Sequence, residues 1–213
     1  QQSDEYAWVG FRQCTSAGNT QSSGEHRLPP PWVFALGNQC TALWNWYYGP
    51  FFSMRDQNGI DCCQTVHSSC TLARISAFRS INGFDRSFWQ SDSDLDLSLR
   101  FAKAGYRIGI DRRYQVIHEG EGGKLTGSRR VFDRIFSRCR LYETHFPECN
   151  QYLRHLLASR LVAEAIVVTF LRQIWHQRFP QDFSHTRFRL VRWLRHRSAS
   201  PTHALACAYS TRT

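Results

Sequence analysis

The sequence predicts an α/β fold, because apolar runs of strand length alternate with segments that have a helical pattern. Residues 6–11 form a short apolar run bounded by turn-forming residues, which is typical of a buried strand. Residues 92–104 carry acids in the first turn, and Gly105 follows the last turn, as helices prefer. Residues 131–175 have a helical pattern in two segments that are separated by Pro147.

The segments before the central helix predict further elements. Pro29, Pro30 and Pro31 favour an extended stretch. Residues 32–55 are rich in aromatic side chains, which suits either stacking on a sugar or packing in a core. Residues 70–78 predict a strand followed by a helix, with turn-forming residues after them.

Two short strands and a glycine-rich loop are predicted after the central helix. The strands are residues 106–110 and 114–117, which are short apolar runs. Residues 118–124 contain three glycines, which predicts a loop that can move easily.

Basic residues give the 213-residue chain a formal net charge of +10, and most of the excess lies in the last third of the sequence. From Gln151 onward there are ten arginines but only two acids, Glu164 and Asp182. Residues 187–197 alternate arginine with apolar side chains, which predicts a basic amphipathic segment. Such a segment suits an anionic lipid surface, a nucleic acid or a sugar-nucleotide diphosphate, or it is simply solvated.

The eight cysteines predict reduced thiols rather than a metal clamp or a disulfide framework. The sequence has no CxxC pair, and the adjacent Cys62 and Cys63 cannot form a normal tetrahedral clamp. Scattered cysteines in apolar surroundings are usually small buried hydrophobic residues. Reduced thiols favour a cytoplasmic location.

The most informative part of the sequence is a block of short motifs between Cys70 and Gly123. In order, these motifs are Asn82-Gly83-Phe84-Asp85, Phe88-Trp89, Ser93-Asp94-Leu95-Asp96-Leu97-Ser98-Leu99-Arg100, Ala104-Gly105-Tyr106-Arg107 and Val116-Ile117-His118. Their order resembles the second half of family-2 glycosyltransferases, especially the rhamnosyltransferase-like members that build bacterial polysaccharides. The resemblance is sharp for residues 66–123 and fainter over most of the remaining chain.

The resemblance implies a partial GT-A domain, the nucleotide-diphospho-sugar transferase-like α/β fold, at residues 1–130. A helical, basic C-terminal extension follows at residues 131–213. The first nucleotide-binding strands and the donor DxD motif of the family have no counterpart here, so the chain corresponds to the acceptor-side half. The implied reaction is an inverting transfer of a sugar from a nucleotide-sugar donor to a cell-surface glycan. The complete enzyme would use Mg²⁺ or Mn²⁺.

The resemblance also implies roles for individual residues. It makes Asp94 the general base that takes the proton of the acceptor hydroxyl, and the start of a helix would orient this carboxylate. His118 corresponds to a strand-end histidine that several GT-A enzymes direct at the metal or the diphosphate. The other candidates in the motif block would contact the substrates, and they are Trp89, Asp92, Asp96 and Arg100. Apart from the resemblance, a loop at residues 120–130 can fold over the donor, so that Lys124, Arg129 and Arg130 meet its phosphates.

Each of these assignments has a plainer alternative. The acids at 92, 94 and 96 can simply cap the helix, or their two overlapping DxD strings can be the donor-metal site, although no long apolar strand precedes them. His118 can be a structural histidine, and the segment with Lys124 can be an ordinary surface loop. The sequence also departs from the family pattern at Asn82, Ser93 and Arg112, where the family usually has Gly, Glu and Pro.

Other functions and partners remain open. The chain can be an inactive glycosyltransferase remnant that binds glycan. A basic nucleic-acid-binding module is disfavoured, because it explains residues 187–197 but nothing in the motif block.

An anionic membrane surface, on the inner face of the cell membrane, suits an enzyme with a lipid-linked acceptor. If residues 187–197 are helical, Leu190, Trp193 and Leu194 share the face that would meet the lipid. Residues 161–174 are too short and too charged to cross a bilayer.

Overall fold

A computed structural model shows a mixed α/β protein with a mixed sheet and several helices. It describes residues 6–25, 27–48, 54–55, 59–88, 91–119, 127–174 and 183–195. The chain folds into two units. The first consists of Gln1–Pro30 and Asn38–Lys124, and the second consists of Pro31–Gly37 and Leu125–Thr213.

The sheet lies in the first unit. In chain order, the described strands are β1 (Tyr6–Cys14), β2 (Thr20–Gln21), β3 (Gly24–Glu25), β4 (Met54–Arg55), β5 (Ile60–Cys62), β6 (Thr65–Val66), β7 (Thr71–Ala73) and β8 (Arg107–Ile117). Five of them lie in the order β2-β1-β8-β5-β4, and β7 also pairs with β1. β1 and β8 are parallel, whereas the other described pairs are antiparallel. β3 and β6 form a separate antiparallel ribbon. The predicted strand at residues 6–11 is therefore confirmed, and it is longer than expected.

β8 corrects the prediction of two short strands at residues 106–110 and 114–117. The ladder with β1 shifts register between Asp111 and Gln115, so the intervening residues of β8 leave the ladder. Asp111 holds this bulge, because its carboxylate accepts the backbone N–H of Arg113 at 2.9 Å and the guanidinium of the same residue at 2.8 Å. These bonds also lower the pKa of Asp111. The result is one continuous strand with a bulge.

The helical patterns predicted at residues 92–104 and 131–175 are confirmed, whereas the helix at residues 38–48 was not predicted and residues 127–130 are helical rather than part of a loop. In chain order the helices are α1 (Pro31–Leu36), α2 (Asn38–Tyr48), α3 (Ile75–Ser80), α4 (Ser93–Lys103), α5 (Gly127–His145), α6 (Asn150–Ile174) and α7 (Phe183–Arg195), with a 3-10 turn at Pro147–Cys149 between α5 and α6. The break at Pro147 is confirmed. The prediction of extended chain through Pro31 is wrong, because Pro31 begins α1. The first turn of a helix accepts proline, since its N–H would have no partner there.

The core of the first unit lies between the sheet and α3 and α4. Trp8 on β1 is buried, and its ring lies 5.7 Å from the ring of Phe101 on α4. The end of α4 is closed by two hydrogen bonds of 3.0 Å, from Gly105 N–H to the Ala102 carbonyl and from Tyr106 N–H to the Phe101 carbonyl. Gly105 has a φ of +82°, so the predicted glycine cap is confirmed.

The turn after α3 contains two consecutive residues in the left-handed region. Asn82 has a φ of +60° and Gly83 a φ of +62°. Asparagine tolerates this conformation better than most residues, because its short polar side chain can bond locally. The departure from glycine at position 82 is therefore compatible with the turn.

The apolar face of the basic segment, which was predicted to meet the lipid, instead packs inside the second unit. Leu190 and Leu194 on α7 are buried, and the Trp193 ring lies 5.0 Å from the ring of Phe136 on α5. The side of α7 that stays exposed carries His185, Phe188, Arg192 and Arg195. Within the described residues, no helix has both the length and the apolar character needed to cross a bilayer.

The cysteines that the structure describes are all free. Burial, followed by the neighbouring Cys62 and Asp61, raises the pKa of the Cys63 thiol to about 12. This thiol is therefore protonated near neutral pH, and the residue is half-buried. Cys207 lies outside the described residues.

Candidate functional site

Asp94 lies in the first turn of α4 and is half-buried. Its Oδ2 accepts the backbone N–H of Ser68, from the segment after β6, at 3.1 Å, and its Oδ1 accepts the N–H of Leu95 at 3.0 Å. Ser98 joins the same two segments, because its hydroxyl donates to the Asp94 carbonyl at 2.7 Å and accepts the N–H of Val66 at 3.0 Å. The Asp94 carboxylate therefore has a fixed orientation while part of it remains accessible to solvent.

A chain of hydrogen bonds connects Asp94 to the end of β1. Gln13, near the end of that strand, donates its N–H to the hydroxyl of Ser23 at 3.0 Å. His67 donates its N–H to the Ser23 carbonyl at 2.8 Å, and the next residue, Ser68, binds Asp94. Because β1 and β8 are parallel, their carboxyl ends lie at the same edge of the sheet. This is the edge at which α/β folds commonly bind ligands.

His118 directly follows β8 at this edge. Its backbone N–H donates to the carbonyl of Cys14 at 2.8 Å, which fixes the position of His118 beside the end of β1. The carboxylate of the next residue, Glu119, accepts the N–H of Ser16 at 3.2 Å. His118 therefore lies beside the end of β1 that the hydrogen-bond chain from Asp94 reaches through His67 and Ser23.

Two further candidates of α4, Asp96 and Arg100, bind each other. Asp96 is 1% exposed, and its Oδ2 accepts the Nε of Arg100 at 2.8 Å. Arg100 also donates Nη1 to the carbonyl of Ile81 at 2.7 Å. Asp92 precedes α4 with a φ of +60° and makes no side-chain capping hydrogen bond. The pair of Asp96 and Arg100 therefore orders the connection between α3 and α4. Asp94, by contrast, binds the segment after β6.

Several predicted substrate contacts fall outside the part of the chain that the structure describes. Trp89 and Lys124 are not described, and Arg129 lies in α5 without a described side chain. Arg130 is exposed in the first turn of α5, in the second unit.

Among residues 32–55, the aromatic side chains that the structure describes belong to two helices in different units. On α1, Trp32 is 46% exposed, whereas Phe34 is buried with its ring 5.8 Å from the ring of Tyr142. On α2, Trp46 is 74% exposed and Tyr47 is 54% exposed. α2 therefore offers a pair of exposed aromatic rings, and α1 uses its phenylalanine in the core of the second unit.

Sequence reasoning missed a polar cavity of about 300 Å³ beside the end of β1. Its lining residues are Arg12, Thr20, Gln21, Ser22, Ser23, Gly24, Ile110 and Arg112. Arg12 donates Nη2 to the hydroxyl of Thr20 at 3.2 Å, and Arg112 forms an ion pair with the buried Asp61. Two guanidinium groups beside hydroxyl groups suit an anionic ligand group. The one signal in the sequence is Arg12 itself, a cation directly after the apolar run at residues 6–11.

The described residues do not form a metal site by themselves. Among them, no three His, Cys, Asp or Glu side chains come together in a group that could hold an ion. His118 lies beside Glu119, whose carboxylate already binds Ser16. The need for Mg²⁺ or Mn²⁺ in the complete enzyme stays a prediction, and no reaction step below is assigned to an ion.

The wider comparisons identify no relative. No protein-family model, no curated protein and no solved structure matches this chain. The function is therefore inferred from the order of the motifs and from the geometry around Asp94.

Proposed function

We propose that the chain is the acceptor-side part of a family-2-like glycosyltransferase of the GT-A type, with Asp94 as its general base. One observation carries the proposal. The Asp94 carboxylate binds the N–H of Ser68, which belongs to a different segment, yet it stays partly exposed at the sheet edge. Capping a helix requires no bond to another segment. A general base requires a fixed orientation and access to the substrate.

In the proposed reaction, Asp94 accepts the proton of an acceptor hydroxyl while that oxygen attacks the anomeric carbon of the donor sugar. The new bond between carbon and oxygen forms as the bond to the nucleotide diphosphate breaks. The diphosphate leaves with the electron pair, and the configuration at the anomeric carbon inverts because attack comes from the opposite side. The start of α4 orients the carboxylate before the reaction, because its Oδ1 accepts the N–H of Leu95 at 3.0 Å.

The arginine-lined cavity supports the donor side of the proposal. The charge on the leaving diphosphate must be balanced, and guanidinium groups do this through paired hydrogen bonds. Arg12 and Arg112 line the cavity together with Ser23, which is also part of the hydrogen-bond chain to Asp94.

The proposal extends to partners and location. The donor is a nucleotide sugar, and the acceptor is a glycan or a lipid-linked glycan. A lipid-linked acceptor places the enzyme in the cytoplasm at the inner face of the membrane, where anionic lipid would meet Arg192 and Arg195, the exposed cations of α7. Nucleic acid remains a disfavoured partner, because it gives Asp94 and the motif block no role.

The substitution Asp94→Asn tests the proposal in the complete enzyme of which these residues form the acceptor side. Release of nucleoside diphosphate is measured with a panel of nucleotide sugars and glycan acceptors. Turnover should fall by at least ~100-fold, because asparagine keeps the shape of the side chain but cannot take up the proton. Donor affinity, measured by calorimetry, should stay the same.

The matched control is Glu148→Gln, which alters an exposed acid in the second unit and should leave turnover unchanged. Turnover of the Asp94→Asn variant close to that of the unaltered enzyme would contradict the role of Asp94. Glycan binding without turnover in the unaltered enzyme would indicate a binding protein instead.

A further inference from the structure

α6 presents apolar side chains on two opposite faces. The inward face packs in the core of the second unit, and its buried residues are Leu153, Leu157, Leu161, Ala165 and Val168. The outward face is exposed, and its residues are Tyr152, Leu156, Ser159, Ala163, Ile166 and Phe170, here called the α6 seam. At 100° per residue the two faces lie on roughly opposite sides of the helix. The inward face stabilises the fold, so the seam needs a separate explanation.

The spacing of the seam is that of a helix-pairing surface. Its residues follow each other at intervals of four, three, four, three and four positions. This pattern places them within a stripe roughly 80° wide, narrower than the face by which a helix covers a protein core. The seam contains no charged side chain. On one side of the seam, Arg160 and Glu164 bind each other at 3.0 Å, and Glu164 also binds Arg187 on α7 at 3.3 Å. On the other side, Arg154 and Arg195 line a cavity together with Ser159, Ala163 and Ile166.

The order of side-chain sizes along the seam is symmetric. If two copies of α6 pair in antiparallel orientation, Tyr152 lies opposite Phe170, and Leu156 lies opposite Ile166. At the centre, Ser159 lies opposite Ala163. Small residues would then meet where the two helices are closest, and large residues would meet at both ends. Such self-complementarity is required at an interface with two-fold symmetry. We propose that the chain forms an antiparallel dimer with a second copy of itself through the α6 seam.

The exposed apolar area is sufficient for such a dimer. Within the seam, Tyr152 is 40% exposed and Leu156 41% at one end, while Ile166 is 59% and Phe170 60% exposed at the other. Val167, which borders the seam, is 54% exposed. At roughly 200 Å² for each fully exposed side chain, these five residues expose about 500 Å² in each copy. Two copies would thus bury about 1,000 Å² from these side chains alone, which reaches the size of specific interfaces.

A bilayer fits the seam less well than a second helix does. An interfacial helix inserts a wide apolar face that is bordered by cations. The seam is narrow, and its centre consists of Ser159 and Ala163, which contribute little apolar area but allow a second backbone to approach closely.

The test measures the molar mass of the chain in solution by light scattering and sedimentation. The unaltered chain should be a dimer at about 10 μM and above. Ala163→Glu should weaken dimerisation at least ~10-fold, because two buried carboxylates would lie against Ser159 of the other copy. The matched control, Ala102→Glu, makes the same change at an exposed position of α4 and should leave the dimer intact. Far-ultraviolet circular dichroism and the melting temperature should show that both variants are folded.

The double variant Ser159→Lys/Ala163→Glu distinguishes the orientation of the helices. In the antiparallel dimer each lysine lies opposite a glutamate, so dimerisation should recover. In a parallel dimer lysine would face lysine, so the double variant would stay dissociated and the proposed arrangement would be wrong.

A chain that is monomeric at every concentration, or a dimer that Ala163→Glu does not affect, would overturn the proposal. Loss of liposome binding by a monomeric Ala163→Glu variant would instead indicate a bilayer as the occupant.

Discussion

Arg100 binds the buried carboxylate of Asp96 one helical turn away and also donates to the carbonyl of Ile81. The Nε and Nη2 atoms of Arg100 each lie 2.8 Å from Oδ2 of Asp96. A buried carboxylate is costly unless it is paired and hydrogen-bonded. One guanidinium therefore balances a charge in the core and connects α4 to the end of α3.

Arg100→Ala should lower the free energy of unfolding by about 3 kcal/mol, because it removes the guanidinium that balances the buried carboxylate of Asp96. Urea denaturation measures this change. The control is Lys103→Ala in the last turn of the same helix, where the side chain is exposed and the expected change is within about 0.5 kcal/mol. Equal losses in the two variants would show that the ion pair does not stabilise α4.

Gly83, in the turn after α3, should tolerate alanine less well than Gly18, in the turn between β1 and β2. Gly83 has a φ of +62°, and a Cβ there would lie 2.8 Å from Cε1 of Phe78. Gly18 has a φ of +81°, but a Cβ there would have no atom within 4 Å. Gly18→Ala should cost about 1 kcal/mol for the strained backbone alone. Gly83→Ala should cost at least ~1 kcal/mol more, because it also displaces the Phe78 ring.

Urea denaturation of the two glycine variants measures the difference in the free energy of unfolding. A cost for Gly83→Ala no greater than that for Gly18→Ala would mean that the Phe78 ring yields without loss of packing.

Cys63 should resist alkylation in the folded protein. Its thiol pKa of about 12 leaves roughly one molecule in 10,000 as thiolate at pH 8, and the thiolate is the reactive species. Iodoacetamide labelling at pH 8, followed by peptide mass spectrometry, should find Cys63 unmodified until the protein is unfolded in urea. Labelling of Cys63 at the same rate before and after unfolding would contradict its burial.

The sequence alone was sufficient for the features that depend on near neighbours. The apolar run predicted β1, and Gly105 predicted the end of α4, since a helix needs a left-handed residue there to bond its last carbonyls. Pro147 predicted the break between α5 and α6, because proline lacks the N–H that a helix requires. Each signal lies within a few residues of the feature that it determines.

The acid at position 94 was identified from its motif, but its hydrogen bond to Ser68 was not, because 26 positions separate the two residues. The arginine-lined cavity was missed for the same reason, since Arg12 and Arg112 come together only when β1 pairs with β8. Sequence patterns show which residue types are available, but they do not show which distant segments become neighbours.

Burial was also decided by the tertiary structure. Leu161 and Ile166 lie five positions apart in one apolar stretch, yet the first is 0% exposed and the second is 59% exposed. The sequence predicted that Leu190, Trp193 and Leu194 share one side of α7. Only the structure showed that this side packs beside Phe136. Hydropathy identifies side chains that gain free energy by leaving water, but the position of the neighbouring elements determines which of them do so.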